Sequence, residues 1–513
     1  MVSLVYELID SHFQKRYTFL EYIYSHQKDS IEVMELVKIL DVSYPTAKRI
    51  ILDVREDIRK MDFEDSIEII DLAEQKRIFI KISDSFSINL VRLFYLEKSV
   101  RFQLFSLFLT PRKWTQAEIL KKLNITYSVA RKELAFLKKY ISKYAKNISL
   151  NTKKSFYIAG DEITTRMFYT GIFQQVYGGY KWPFHFINLT ELYEILEKLS
   201  PDLYGMHTNR FTLIHYGVAI TLLRCSKKPI ADNVYYWEPS SAHEINIFNE
   251  FVSKLHQKIP TITLDSLRIE AKFLISCLFT HSLAYQVDEV PTFFKESKIL
   301  SDMNFLDQIE KKLEFVEQYS LSPLTAKERD LLRVRLVGIF YQIFIYGDVL
   351  KQRVLDLYVH HPFDFPSNSE RERSFYHILM RNYSEKEKGF DLEYVEYICA
   401  AYYKLLFFEM DRHLYHPKIK VLILSNRSPE VLISSKLQTV MSYFYIEIVY
   451  NLSEKADLII SDMAISKHNL TALPEKIPVV IIEESLPAKD VKSLQEVLTK
   501  ISDDKYRQMK DLG

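Results

Sequence analysis

One segment of this chain occurs twice. Residues 36–58 align without gaps with residues 119–141, 83 positions further on. Leu36, Val37 and Leu40 match Ile119, Leu120 and Leu123, and the turn Asp41–Tyr44 matches Asn124–Tyr127. Ala47, Lys48, Arg49, Ile51, Val54 and Ile58 then match Ala130, Arg131, Lys132, Leu134, Leu137 and Ile141. The apolar residues before the turn fit one face of a short amphipathic helix, and Ser43 or Thr126 stands where a side-chain oxygen caps a second helix. Within that helix Ala47, Ile51, Val54 and Ile58 recur at i, i+4, i+7 and i+11, which makes one buried stripe. A small residue at Ala47 and Ala130 lets the two helices approach closely. The opposite face presents Tyr44, Lys48 and Arg49 in the first copy and Tyr127, Ser128, Arg131 and Lys132 in the second. A DNA recognition helix is apolar inside and carries basic and hydrogen-bonding groups near its N-terminal end. The repeat predicts two helix-turn-helix units.

Each unit is followed by a β-hairpin pattern. Ile67–Asp71 and Arg77–Ile82 flank a polar turn, as do Ile148–Leu150 and Phe156–Ile158. These read as wings, with Lys153 and Lys154 at a tip suited to phosphate. Charge divides the two units. Between Pro111 and Lys154 stand twelve Lys or Arg, Lys138 among them, against Glu118 and Glu133, a net of +10. The whole chain carries +1, so the remainder carries −9. A basic module on an otherwise acidic protein is the electrostatic footprint of nucleic-acid binding. From Lys28 to Lys60, seven basic residues meet seven acids, so the second unit is expected to dominate affinity.

At 513 residues the chain exceeds one core, and about 150 residues per domain implies three or four domains. Its 10 glycines fall far below the roughly 36 of average usage, which favours helix. No G-x-G-x-x-G or G-x-x-x-x-G-K is present, which excludes dinucleotide fingerprints and Walker loops. Cys225, Cys277 and Cys399 lie too far apart in sequence for a disulfide framework or a cysteine zinc site. No basic-then-apolar leader opens the sequence, and the apolar stretch at Leu336–Tyr346 is too short to span a bilayer. A cytoplasmic protein without membrane partners is the expectation.

From Asp161 to about His413 the pattern is helical and aromatic-rich, broken at Ser200-Pro201, Pro260, Pro291, Ser322-Pro323 and Pro362. Its length suits two helical bundles. No catalytic constellation, metal cluster or cofactor motif appears in it. After His416-Pro417, Val421–Leu424, Ile446–Val449, Leu458–Ser461 and Val479–Ile482 are short apolar runs separated or followed by helical stretches. That alternation predicts a small parallel sheet with helices outside. The loop Ser425–Pro429 is where such a fold offers backbone N–H groups to an anion.

Phe211–Ile220 with Arg224 is similar to the signature helix of phosphotransferase regulation domains. This implies that His215 stands at the family's phosphorylatable histidine and His281 near its second one. The corresponding helix of the second bundle has Tyr341 or Gln342 where a histidine would stand. Val421–Leu424 and Ala456–Ile460 resemble strands of sugar-phosphotransferase IIB domains. Ser425 occupies the position of their active-site cysteine, which implies a binding or dimerisation module without transfer chemistry. Taken in order, the chain resembles the Mga and RofA-type virulence regulators of Gram-positive bacteria. The resemblance implies a stand-alone transcription activator of virulence or surface-protein genes. It would bind double-stranded promoter DNA as a homodimer or higher oligomer and respond to the phosphotransferase carrier protein.

The expected fold class is multi-domain and mainly α: two winged helix-turn-helix units (1–84 and 85–160), two regulation-domain-like bundles (161–290 and 291–415) and a IIB-like α/β domain (416–513). Two alternatives share parts of this pattern. A sugar-operon activator of the related class would carry more histidines and a reactive cysteine. A phosphate-binding enzyme would need a nucleophile–base pair near Ser425.

Overall fold

The computed structural model describes residues 4–26, 30–72, 76–83, 86–178, 180–197, 208–232, 236–239, 241–280, 303–318, 320–346, 401–403, 405–424, 440–449, 455–462, 477–483 and 486–511, with 377–378, 381, 399 and 437. It is mainly helical, with two antiparallel sheets in the N-terminal part and a parallel sheet near the C-terminus. Contacts divide it into two compact units, the described residues up to Leu278 in one and those from Phe279 onward in the other.

The first helix-turn-helix is α2 (Val33–Leu40) and α3 (Tyr44–Lys60), preceded by α1 (Ser11–His26). Asp41 turns the chain in the left-handed region at φ 49°. The expected stripe is buried: Ala47, Ile51, Val54 and Ile58 all lie in the core, joined by Ile50. The wing is β2 (Ile67–Leu72) paired antiparallel with β3 (Arg77–Ile82). It contains a strand that the hairpin pattern did not predict. β1 (Ser30–Glu32) pairs with the outer side of β3, placing buried Ile31 opposite Ile78. Three residues are too few to show alternation, so only the pairing reveals the strand.

The second copy follows α4 (Ile88–Lys98) and α5 (Val100–Leu107). It consists of α6 (Gln116–Leu123), α7 (Tyr127–Tyr144), β4 (Ile148–Asn151) and β5 (Tyr157–Gly160). Trp114, 83 positions after Ile31, plays the part of β1 with one bridge to Phe156, N–O distances 3.0 and 2.9 Å. Phe156 was expected inside the hairpin; it turns to Trp114 instead, and the ladder starts at Tyr157. The wing closes at Gly160, φ +120°, where a Cβ would sit 2.1 Å from the Asn147 carbonyl oxygen. Only glycine fits there.

Beyond Gly160, Asp161 caps α8 (Glu162–Tyr177), its carboxylate accepting from the Thr164 N–H at 2.6 Å. α8 is buried on nearly all sides. Phe105 of α5 stacks on Tyr169 of α8, ring centroids 4.4 Å apart, and the Tyr169 hydroxyl donates to the Phe105 carbonyl. Helix α10 (Thr208–Arg224) packs on α8, α9 (Leu189–Glu197) packs on α10 and α11 (Ala242–Lys258), and α12 (Leu264–Thr280) is tied to α8 through Glu270. Three buried charges, Arg166, Arg224 and Glu270, and the half-buried Glu162 tie this bundle together. Arg166 grips Glu270 with both terminal nitrogens and reaches Glu162 with Nε. Arg224 holds both oxygens of Glu162 at 2.7 and 2.8 Å and donates to the Leu109 carbonyl at 2.6 Å. Two cations against two anions leave the cluster neutral, the condition under which buried charge is tolerated.

In the other unit, helix Met303–Glu317 packs on helix Ala326–Tyr346, with Arg329 on Glu317 and Arg333 on Glu310 at 2.9 and 2.6 Å. The C-terminal sheet has the order β7-β6-β8-β9, from β6 (Ile419–Leu424), β7 (Ile446–Val449), β8 (Leu458–Ser461) and β9 (Val479–Ile481), all parallel. Strand β6 is buried on both faces. Ile419, Val421 and Ile423 meet Leu494 and Leu498 of helix Ala488–Asp511, and Leu422 meets Val449 and Ile459. Parallel strands covered on both faces read as continuous apolar runs, which is why their positions were legible.

Candidate nucleic-acid interface

The second helix-turn-helix is built by local chemistry. The Thr115 hydroxyl accepts from the Glu118 N–H at 3.3 Å, and the Glu118 carboxylate takes the Thr115 N–H at 2.7 Å, a capping box that starts α6. These bonds from Thr115 hold Glu118 below the usual carboxylate range. Asn124, at φ 51°, ends α6, and the Thr126 hydroxyl faces the Val129 N–H at 3.5 Å to begin α7. Ala130 is buried, and Leu134, Leu137 and Ile141 continue the stripe. In the first copy the expected cap is not formed: the Ser43 hydroxyl pairs instead with the Thr46 hydroxyl at 2.8 Å.

The face of α7 opposite that stripe is strongly basic. Tyr127, Ser128, Arg131, Lys132 and Lys138 are all exposed, as is Lys139. Ala135 lies exposed among them, a small residue that allows close approach to a surface. Lys153 and Lys154 are exposed at the wing turn, where the Asn151 side chain accepts the Lys153 N–H at 3.1 Å and shapes the tip. Arg112 lies over the Trp114 ring, 3.9 Å from its centroid, between the wing and α6.

Neither acid of this window opposes these cations freely. Glu118 is spent on its capping box and on Arg112. Glu133 lies in the core, where the Arg101 Nε donates to it at 2.5 Å. Lys132 approaches the other Glu133 oxygen at 3.6 Å. Arg101 in turn donates to the Ile9 carbonyl at 3.0 Å and lies over the Phe136 ring, anchoring α7 on α5 and the N-terminus. The repeat alignment did not identify Glu133 as an anchor. Its helical spacing with Ala130, Leu137 and Tyr140 was the available signal.

The first copy differs. Tyr44 and Lys48 are half-buried. The Arg49 side chain is 82% exposed, 4.0 Å from Asp53. Arg16 of α1 joins Asp53 and Asp57 at 2.7 and 2.8 Å, and the Tyr95 hydroxyl adds a bond to Asp57. Acids therefore line the same helix as its two basic candidates.

His215 lies on α10 and is 1% exposed, its ring edge-on to Tyr193 at 4.5 Å. This is not the exposed imidazole that phosphoryl transfer requires. Arg224, the basic residue that completes the signature-like helix, is committed to Glu162 and Leu109. His281 and the loop Ser425–Pro429 lie outside the described residues. Gln342, at the matching place in the second bundle, is buried. Among the described residues Glu328, Asp411 and His413 bring one ligand-type atom each within 4.8 Å of one another. The His413 Nε2 is 3.3 Å from a Glu328 oxygen, while the other Glu328 oxygen caps its own helix through Thr325, so both oxygens of this carboxylate already have protein partners. No described helix is long and apolar enough to cross a membrane.

Residues 84–173 match the family described as the Mga helix-turn-helix domain. The match takes in α4 to α7, the second wing and the first part of α8. No curated protein matches the chain.

Proposed function

We propose that the chain, whose residues 84–173 match the Mga helix-turn-helix domain, is a DNA-binding regulator that activates transcription of virulence or surface-protein genes from the cytoplasm. It binds double-stranded promoter DNA through α7 and the second wing, with Tyr127, Ser128, Arg131, Lys132, Lys138, Lys153 and Lys154 as the contacting residues. Tyr44, Lys48 and Arg49 of the first unit add register. The observation that carries this reading is the basic window whose two acids are both engaged, Glu133 inside the core and Glu118 in its cap. Such a surface neutralises phosphates, releases counterions and binds more weakly as salt rises. Assembly through the C-terminal sheet as a homodimer or higher oligomer completes the proposal. Mapping bound sites across the genome and measuring transcript changes after deletion tests it. Binding scattered without sequence preference, or transcripts that do not change, would overturn it.

Modulation by phosphoryl transfer from a sugar-phosphotransferase carrier to His215, with His281 as the secondary site, belongs to the same proposal. It requires α10 to turn the imidazole out of the core before transfer, after which roughly two added negative charges would repack the bundle.

A further inference from the structure

Every residue from Phe86 to Phe173 is described, and in that stretch two large hydrophobic side chains face solvent: Tyr127, 53% exposed, and Val129, 38% exposed. Both fall in the first turn of α7. Elsewhere in the stretch large apolar side chains are buried or half-buried, so this concentration is not the scatter of single apolar residues found on any surface. Nor does helix formation explain Val129, because a β-branched residue loses side-chain freedom in a helix. Its counterpart 83 positions earlier is Thr46, whose hydroxyl is tied to Ser43. Around Val129 stand exposed Ser128, Arg131 and Lys132, which suit phosphates and base edges that accept hydrogen bonds. An exposed isopropyl group among them suits something apolar in a polar groove. In the major groove that feature is the 5-methyl group of thymine.

We propose that Val129 is a specificity-determining residue that packs against a thymine 5-methyl group in the major groove. The inference rests on the DNA-binding reading above and adds to it the base that the first turn selects. Arg131 and Lys132 supply phosphate and hydrogen-bond contacts, and the valine discriminates against cytosine, which lacks the methyl group at the same position.

The test uses the full chain and a pool of random DNA duplexes, from which the tightest sequence is selected. Each thymine in it is then replaced singly by uracil, which removes the methyl group and leaves the base pair intact. One or two positions should lose about fourfold in affinity, the worth of one buried methyl group. In Val129→Ala those positions should become indifferent to the replacement while the remaining positions behave as in the parent. Val129 is partly exposed, so the variant should unfold at the parent's temperature. Uracil tolerated at every position, or a loss that persists undiminished in Val129→Ala, overturns the inference and leaves DNA binding standing. A chain that enriches no duplex overturns the DNA-binding reading and this inference with it.

Discussion

Replacing Arg131 and Lys132 together by alanine separates the two helix-turn-helix units. Both side chains are exposed on α7, so folding is expected to survive. The pair lost with Lys132 spans 3.6 Å to Glu133 with the lysine side chain 72% exposed, so solvent screening keeps its contribution to no more than about 1 kcal/mol. Glu133 keeps its buried partner Arg101. On DNA the two cations should contribute about 1–3 kcal/mol each. Their joint loss of about 2–6 kcal/mol corresponds to at least roughly thirtyfold weaker binding, since about 1.4 kcal/mol is tenfold. The same replacement at Lys48 and Arg49 acts on a face where Arg49 already has Asp53 at 4.0 Å and Lys48 is half-buried. There the loss should stay below about fivefold, less than one good contact. Salt provides an independent reading. Two phosphate contacts removed should flatten the plot of log affinity against log salt by about 1.8. Titration by gel shift or fluorescence anisotropy at several salt concentrations measures both quantities. Equal losses from the two pairs, or an unchanged slope in Arg131→Ala/Lys132→Ala, would refute the assignment of affinity to the second unit.

Four further outcomes are expected. Arg166→Met leaves Glu270 and Glu162 short of a buried partner and should cost about 3–5 kcal/mol in urea unfolding; a change under about 1 kcal/mol would show that the cluster does not hold the bundle. Burial pushes the Cys225 thiol up to about 12, so at pH 8 it stays protonated and unreactive, and mass spectrometry after brief alkylation of the folded chain should find it unmodified; rapid labelling contradicts its burial. Truncation before Pro417 should give a smaller species in light scattering and less cooperative DNA binding, and an unchanged mass places the self-association surface elsewhere. With phosphorylated carrier protein, acid-labile phosphate should appear slowly on the parent and be lost in His215→Ala, because the ring must first leave the core; no label on the parent removes the histidine switch.

Local periodicity and composition encode part of this fold directly. The stripe Ala47–Ile51–Val54–Ile58 and its copy from Ala130 to Ile141 are buried where their spacing put them. The four strands of the C-terminal sheet are visible as apolar runs, most plainly β6 and β8, which are buried on both faces. The basic window is equally legible, since charge is additive along the chain. Tertiary structure decided what depends on partners remote in sequence. Strand β1 exists because β3, more than forty residues later, offers an edge to Ile31. Phe156 is set beside Trp114, more than forty residues earlier in the chain, by the two backbone bonds that they exchange. Glu133 counts as an acid in the window's charge, yet Arg101 draws it inside, so the face of α7 is more basic than the sum of its residues. His215 carries a family-like sequence around it, but the packing of α10 against its neighbours, with Tyr193 edge-on to the ring, sets its exposure at 1%. Periodicity fixes which side of a helix turns inward; what that side meets, and whether a polar group there finds a partner, is fixed only when distant segments are brought together.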